Sequence, residues 1–392
     1  LGRSNHEYGR MARMNAQPSV KVESLRDGAR DGSGAVLRIT PVDGPAFHAI
    51  AVPQDWYSYT GPTWVYVIGA EDGLTLIDAG SSLVVEHVET AFRMISLDPA
   101  AIDRVVISHG HIDHDGGALG LAKEWDVEVW AHILWDRLRF HDRTQLAGDG
   151  WDRVQDAIDD DLKEDEPLGR TTSLEKRVER QRKYSELRRD VNVARLVEHG
   201  DEVSGFTFYH TPGHAPDELT VQKRGVLFAG DHILPEITPH PTIKSRLPEQ
   251  VRSGLPDRYQ DEDKLYGLDV YLQSLMMIAG MSEETLVMPA HRLINRGKLN
   301  VLTARRAREI AEHHLERIGA ILEIMGWSSW SLGDLTKKLF AHRRLHNVYE
   351  AALHETMAHV ELLVRHGDVL QTPENRFVGT GTQHYLGVLS SA

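Results

Sequence analysis

The stretch Ser108-His109-Gly110-His111-Ile112-Asp113-His114-Asp115-Gly116-Gly117 places three histidines and two aspartates within ten residues. It directly follows Arg104-Val105-Val106-Ile107, a short β-branched run that predicts a buried strand. The polar cluster therefore lies on the loop that leaves the carboxyl end of this strand, where open α/β sheets carry their chemistry. Neutral imidazoles and carboxylates are the ligands that zinc and similar divalent metals accept. The stretch predicts a metal site.

Further ligands are expected from other parts of the chain, because one loop cannot surround two ions. Three candidates stand at the ends of apolar, β-prone runs: His214 after residues 206–210, Asp231 after residues 225–229 and His291 after residues 285–288. If the four strand ends converge, they form a basin of seven ligands: His109, His111, Asp113, His114, His214, Asp231 and His291. That number of ligands suits two metal ions.

The order of these motifs resembles the metallo-β-lactamase superfamily of hydrolases. The motifs are His-x-His-x-Asp-His at 109–114, then Gly213-His214, Gly230-Asp231 and Pro289-x-His291, and the resemblance covers roughly Val52 to Asn295. The complete set in this order is far more specific than any single Gly-His or Gly-Asp pair. The resemblance implies an α/β fold, an αββα sandwich, here with a helical insertion and a mostly helical C-terminal extension.

The resemblance also implies a role for each ligand. The first metal takes His109, His111 and His214, the second takes Asp113, His114 and His291, and Asp231 bridges the two. The upstream segment 74–80 resembles the family's early strand and turn, in which Asp78 orients a ligand histidine from outside the metal shell. Zinc is the expected metal, although manganese and iron also accept a His/Asp site.

The chain has 22 histidines, too many for all of them to be ligands. We expect five polar residues near the site in sequence to be ordinary loop or strand-end residues: Asp115, His132, His210, His232 and His240. Three others are candidates for contacting substrate: Lys244 and Arg246 in the proline-rich segment after Asp231, and Tyr266 near the start of a predicted helix. The two cations would meet an anionic substrate group.

The 392-residue length exceeds what one hydrophobic core usually holds, so a catalytic domain with appended parts is expected. We divide the chain into a flexible N-terminal segment (1–34), a catalytic domain (35–298), a helical, winged-helix-like domain (299–372) and a tail (373–392). Helical periodicity over 299–325 and about 347–366, with a short helix from Ser331, defines the third part. The chain opens on Leu1 rather than methionine, so residues 1–10 are expected to be a remnant of expression.

A charged helical insertion over about 136–195 interrupts the catalytic domain. Apolar residues at helical spacing, such as Leu174, Val178, Tyr184 and Leu187, predict two or more exposed helices. The sequence leaves open whether these helices are a solvated insertion, a lid over the active site or a homodimer surface.

Composition excludes several classes of protein. The chain has no cysteine, which excludes disulfides, thiol nucleophiles and thiolate-rich zinc sites. No run approaches about eighteen consecutive apolar residues, and no signal peptide is recognisable, so we expect a cytoplasmic protein without a membrane partner. The formal net charge of −14 opposes binding to nucleic acid. The balanced charges of the C-terminal helices likewise indicate packing or dimerisation.

The mechanism follows from the metals, because a water held between two divalent cations loses its proton near neutral pH. We predict a hydrolase whose metal-bridging hydroxide cleaves an ester, thioester or lactone bond of a small molecule, as in the glyoxalase II and lactonase branches. Asp113 or Asp231 would accept a proton as the intermediate collapses. The alternative is a phosphodiesterase, such as an endoribonuclease of the same fold, which the C-terminal helices suggest. β-Lactam hydrolysis, redox chemistry and a non-catalytic binding role are disfavoured.

Overall fold

The computed structural model describes residues 20–54, 60–141, 152–154, 156–157, 174–341 and 348–391, with the backbone alone for 174–181 and 389–391. Three predicted parts of the chain lie partly outside these ranges. They are the N-terminal segment 1–34, of which 1–19 with the expected remnant at 1–10 are not described, the insertion, of which 142–151, 155 and 158–173 are not described, and the C-terminal helical domain, of which 342–347 are not described.

An eight-stranded mixed sheet forms the first of two central layers. Its strands lie in chain order: β1 Val20–Arg26, β2 Val36–Pro41, β3 Phe47–Val52, β4 Thr63–Ala70, β5 Gly73–Ile77, β6 Ile102–Val106, β7 Glu128–His132 and β8 Val193–Val197. Strands β1 to β5 pair antiparallel, and β5 to β8 pair parallel. The parallel half places several carboxyl strand ends at one edge of the sheet.

A six-stranded sheet forms the second layer, in the order β16-β13-β12-β11-β10-β9. The strands of this part of the chain are β9 Glu202–Val203, β10 Phe206–His210, β11 Leu219–Lys223, β12 Val226–Phe228, β13 Leu286–Met288, β14 Ile294–Asn295, β15 Lys298–Leu299 and β16 Leu302–Thr303. Strands β14 and β15 form a separate small hairpin. Within the larger sheet only β12 and β13 pair parallel among the described residues.

Helices cover the outer faces of both sheets. The described α-helices are α1 Val84–Ile95, α2 Ile112–Asp115, α3 Ala118–Trp125, α4 Ile133–Leu138, α5 Leu174–Arg189, α6 Glu249–Arg252, α7 Leu268–Ala279, α8 Arg305–Met325, α9 Leu332–Leu339 and α10 Tyr349–Arg365. None of these helices combines the length and the apolar character needed to cross a membrane.

The apolar residues of the central strands bury both faces of each sheet. In β4, Trp64 and Tyr66 pack between the two sheets, whereas the intervening Val65 packs on the opposite face, under α1 and α3. In the second sheet, Phe228 points between the sheets and Leu227 joins the outer cluster with α7 and α8. This period-two alternation produces four layers, helix, sheet, sheet, helix. The predicted αββα sandwich is confirmed.

The C-terminal helices share one hydrophobic cluster with α7 and the second sheet. A small three-stranded sheet completes this region: β17 Ser329–Trp330, β18 Val369–Gln371 and β19 Phe377–Gly379, in the order β17-β19-β18. Phe377, Tyr385 and Val388 are buried in the same cluster. The segment predicted as a tail from residue 373 therefore belongs to the C-terminal fold. Its strand is only three residues long, too short for a periodic pattern to reveal.

The N-terminal boundary also differs from the sequence prediction. Strand β1 pairs with β2 along the edge of the first sheet, and its Val20 and Val22 pack against the core between the sheets. The fold therefore includes residues from 20 onward rather than from 35. An edge strand with two inward valines gives a weak sequence signal because most of its other side chains are polar.

Part of the predicted insertion is buried rather than exposed. Helix α5 carries Tyr184, Ser185 and Arg188 at its carboxyl-terminal end, and all three side chains are buried, whereas Leu187 is exposed. The expectation of exposed helices is therefore wrong for this end of α5. The reason is that its buried face is polar, so apolar spacing does not identify it.

A half-buried carboxyl group on α10 makes stability depend on pH. Glu361 Oε2 accepts a hydrogen bond from the backbone N–H of Lys244 at 2.8 Å, and burial raises the pKa of Glu361 to about 7. The folded state therefore favours the protonated carboxyl. The stability that this preference confers is fully present below the ordinary pKa of 4.5 and is lost as the pH rises through about 7.

The substitution Glu361→Gln imitates the protonated form at every pH. We expect it to raise the free energy of unfolding by roughly 1–2 kcal/mol at pH 8 and by much less at pH 5, since the wild-type group is then already protonated. Denaturant unfolding at the two pH values measures the difference. The exposed Glu323→Gln on α8 is the control. Equal effects of Glu361→Gln at both pH values would contradict the prediction.

Candidate metal centre

Four loops bring the predicted ligands to one edge of the sandwich. His109 follows β6, His214 follows β10, Asp231 follows β12 and His291 follows β13. The side chains form three sets of possible metal donors, and within each set the donor atoms lie within 4.8 Å of one another. The sets are His109, His111 and His214; Asp113, His114 and His291; and His109, His114 and Asp231. The structure therefore brings all seven predicted ligands together.

The first donor group consists of three imidazole nitrogens that face one another. Nδ1 of His111 lies 2.7 Å from Nε2 of His109 and 3.0 Å from Nε2 of His214. A single proton shared among three facing nitrogens leaves at least one lone pair without a partner. A metal ion at this point would accept the lone pairs of all three nitrogens.

The second donor group mixes imidazoles and carboxylates. Nε2 of His291 lies 3.1 Å from Oδ2 of Asp113 and 3.4 Å from Oδ1 of Asp231. Nε2 of His114 lies 3.8 Å and 3.6 Å from the same two oxygens. The other oxygen of Asp231 lies 3.7 Å from Nε2 of His214, in the first group. Asp231 thus presents one oxygen to each group, as a bridging ligand requires.

Acceptors outside the two groups fix four of the histidine rings. Nδ1 of His114 lies 2.8 Å from Oδ2 of Asp78, and Nδ1 of His214 lies 2.9 Å from the backbone oxygen of His240. Nδ1 of His291 lies 3.0 Å from the backbone oxygen of Pro62. Nδ1 of His109 lies 3.0 Å from Oγ of Ser108. Each ring can therefore carry a proton on its outer nitrogen and present its inner nitrogen to the centre.

Asp78 serves this arrangement with its backbone as well as its side chain. It has a positive φ of 64°, and its Oδ1 accepts the backbone N–H of Ser108 at 2.8 Å. Aspartate tolerates this left-handed conformation better than most residues because its short side chain bonds locally. One carboxylate thereby ties the end of β5 to the loop after β6 and orients His114.

Unsatisfied buried atoms show that the donor set fits divalent cations. Nε2 of His114 and Oδ1 of Asp231 are buried and have no hydrogen-bond partner in the described part of the chain. Such atoms are costly in an interior unless something satisfies them. A cation in the second donor group would satisfy both.

The pKa values agree with a site built for positive charge. Burial lowers the pKa of His214 to about 4, so its ring is neutral at neutral pH. Burial opposes the charged form of His114 too, but the carboxylates of Asp231 and Asp78 outweigh it and raise the pKa of His114. Metal binding in the second donor group would therefore compete with protonation of His114.

Three polar residues that sequence reasoning missed support the ligands. Oε1 of the buried Glu218 accepts the backbone N–H of Asp231 at 3.1 Å, and its Oε2 lies 3.4 Å from Nδ1 of His109. Oδ2 of Asp217 accepts the backbone N–H of Gly110 at 2.8 Å. Nε2 of Gln54 donates to Oδ2 of Asp113 at 3.0 Å. The only sequence signal for the two acids was their position on the loop that carries His214.

Asp115, which we expected to be an ordinary loop residue, anchors α5 to the metal loop. Its carboxylate accepts hydrogen bonds from Nε1 of Trp135 at 2.8 Å and from the hydroxyl of Tyr184 at 2.6 Å. Nε of Arg188 lies 2.9 Å from the same carboxylate. The described end of α5 is therefore part of the support of the metal loop.

The three predicted substrate contacts fall in two different places. Lys244 and Arg246 line a cavity of about 510 Å³ that contains no metal-site residue, and Nζ of Lys244 lies 3.0 Å from Oδ1 of Asp263. Tyr266 lines another cavity, of about 530 Å³, whose wall includes His111 and His214.

A further buried group, His314, Glu355 and His359, also has metal-like spacing. The carboxylate of Glu355 contacts the guanidinium of Arg317, and its other oxygen lies 2.9 Å from Nδ1 of His240. A cation already neutralises this carboxylate, which distinguishes the group from the metal centre at residues 109–291.

Sequence comparison identifies the family. A profile described as the metallo-beta-lactamase superfamily matches residues 58–291, more than half of the chain. The chain belongs to this superfamily. Its members are metal-dependent hydrolases, so this chain is an enzyme of that class.

Two solved structures share the metallo-β-lactamase fold over most of the chain. A β-lactamase domain protein from Burkholderia ambifaria has a TM-score of 0.61 and 22% identity, covering 89% of this chain and 96% of its own. A metallo-β-lactamase family protein from Thermus thermophilus has a TM-score of 0.59 and 19% identity, covering 85% and 98%. These similarities concern the fold. The aligned part of this chain is longer than residues 58–291, so the shared fold includes residues outside that span.

A further relative resembles this chain over a shorter stretch of sequence. It is the 7,8-dihydropterin-6-methyl-4-(β-D-ribofuranosyl)-aminobenzene-5′-phosphate synthase of Methanocaldococcus jannaschii, 27% identical over 106 residues, or 24% of this chain. The match spans about a third of that relative's length, 34%.

Removal of the Glu218 carboxylate tests the support of the metal ligands. We expect Glu218→Ala to lower metal affinity by roughly 10–100-fold, because partners of this kind fix ligand orientation and basicity. Competition with a chromophoric chelator measures the affinity, and the exposed Glu284→Ala provides the control. An unchanged affinity in Glu218→Ala would show that Glu218 does not support the ligands.

Proposed function

We propose that this chain is a hydrolase that binds two divalent metal ions and cleaves an ester, thioester or lactone bond of a small molecule. The proposal rests mainly on the position of Asp231. Its two carboxylate oxygens face the two donor groups, and a cavity lies beside them. Zinc is the proposed metal because the donors are imidazoles and carboxylates and the chain has no cysteine.

Each part of the site has a separate task in this proposal. His109, His111 and His214 would hold one ion, Asp113, His114 and His291 the other, and Asp231 both. When bound, the two ions supply an activated water and polarise the bond to be cleaved. The Asp113 or Asp231 carboxylate would accept a proton as the intermediate collapses. Gln54, which donates to Asp113 Oδ2 at 3.0 Å, keeps that carboxylate in place.

The charges around the cavity favour a small molecule over a phosphodiester. Its described lining contains one Lys or Arg side chain, Arg188, and Asp115 pairs with that guanidinium at 2.9 Å. Nucleic-acid binding draws much of its affinity from cations that contact phosphates. The net charge of −14 acts in the same direction. A phosphodiesterase is therefore the second candidate.

Release of a thiol from acyl-CoA and acyl-glutathione thioesters tests the proposal. We expect the zinc-loaded enzyme to release thiol, and Asp231→Ala to be at least roughly 100-fold slower, because loss of a bridging ligand costs more than loss of an outer partner. A thiol-reactive dye follows the reaction without background, since the protein has no cysteine.

The exposed Asp43→Ala is the matched control and is expected to keep the wild-type rate. Failure to cleave any thioester, ester or lactone, together with metal-dependent cleavage of bis(p-nitrophenyl) phosphate, would overturn the proposal in favour of the phosphodiesterase.

A further inference from the structure

A cavity of about 530 Å³ opens beside the metal centre and reaches the C-terminal helices. His111 and His214 form its end at the metals, and the amino-terminal part of α10 forms a wall with Val348, Ala351 and His354. The volume lies within the range of roughly 300–1,000 Å³ that holds a small organic ligand. A ligand with its reactive group at the metals would therefore extend toward α10.

Apolar side chains form most of the surface between these two ends. They come from five separate parts of the chain and are Leu138, Ala215, Pro216, Pro241, Ile243, Tyr266, Val348 and Ala351. Burial of apolar ligand surface against such a lining is favourable in proportion to the area removed from water. The lining therefore favours a hydrocarbon group as the occupant.

The Arg, Asp and Glu side chains on the described lining are Arg188, Asp217 and Glu350, and Oδ2 of Asp217 accepts the backbone N–H of Gly110 at 2.8 Å. The guanidinium of Arg188 pairs with Asp115 at 2.9 Å, and burial lowers the pKa of His354 to about 4, so its ring is neutral at neutral pH. Glu350 is exposed. The described lining residues therefore offer a polyanionic group no unpaired Lys or Arg side chain.

Two hydrogen bonds fasten the α10 wall to the loop that lies beside the metals. Nδ1 of His240 lies 2.9 Å from Oε2 of Glu355, and the backbone N–H of Lys244 donates to Glu361 at 2.8 Å. The backbone oxygen of His240 also accepts from Nδ1 of His214. One loop thus positions a metal ligand and the opposite wall together, and the distance between them is set by the fold.

We propose that this cavity binds the linear, apolar acyl chain of the substrate and that Ala351 limits the chain length. This inference rests on the proposed function. In the reaction the water oxygen bonds to the acyl carbon, the bond from that carbon to oxygen or sulfur breaks, and the leaving group takes the proton. The acyl chain extends from the metals toward α10, and the leaving group faces solvent.

A chain-length series of p-nitrophenyl esters, from acetyl to dodecanoyl, tests the assignment. We expect kcat/KM to rise by roughly fourfold per added methylene until the cavity is full, and then to level off or fall. In Ala351→Phe we expect the maximum to shift to shorter chains and the loss of kcat/KM to grow with chain length. In Ala351→Val we expect a smaller shift of the maximum to shorter chains. This variant tests the assignment if Ala351→Phe does not fold. Ala341→Phe, at an exposed alanine after α9, is the control.

The binding of linear carboxylates tests the acyl cavity independently of catalysis, and so independently of the proposed function. Isothermal titration of the zinc-loaded protein with acetate through decanoate measures affinity without turnover. Affinity that grows with chain length and is truncated by Ala351→Phe supports the acyl cavity even if no ester is cleaved, a result that would reject only the proposed function. Ester cleavage with no dependence on chain length, or an equal loss at every length in Ala351→Phe, overturns the acyl cavity and leaves the proposed function intact.

Discussion

Mutual repulsion among converging donor atoms is the constraint on which the rest of this structure depends. Three imidazole nitrogens stand 2.7 and 3.0 Å apart in one group, and carboxylate oxygens face two more imidazoles in the next. Such an arrangement is unfavourable in a protein interior without cations. The fold must therefore hold the donors in place, and cations bound among them would compensate them.

The sandwich holds the donors through its strands. The backbone N–H of Trp64 donates to the oxygen of Ala290 at 2.7 Å, and the Tyr66 hydroxyl donates to the oxygen of Pro289 at 2.6 Å. These contacts join the first sheet to the loop of His291, across the core between the sheets. At the other side of the centre, Glu355 on α10 holds His240 and hence the loop that orients His214. The C-terminal helices are thus part of the site's framework.

The sequence predicted which seven side chains the fold brings together, because each one sits in a short motif at the end of an apolar run. His109 to His114 lie on a single loop, so their spacing alone carries the signal. Glu218 and Glu355 could not be found this way, because their roles depend on contacts with His109 and His240 that only the folded chain creates. Basic residues were equally hard to interpret: Lys244 pairs with Asp263, and sequence proximity to Asp231 did not reveal that partner.

Anomalous diffraction from crystals grown with zinc tests whether the site holds two ions. We predict two peaks, one among His109, His111 and His214 and one among Asp113, His114 and His291, with Asp231 between them. A single peak in the first group, or a peak at His314, Glu355 and His359 in place of the second, would contradict the two-metal account.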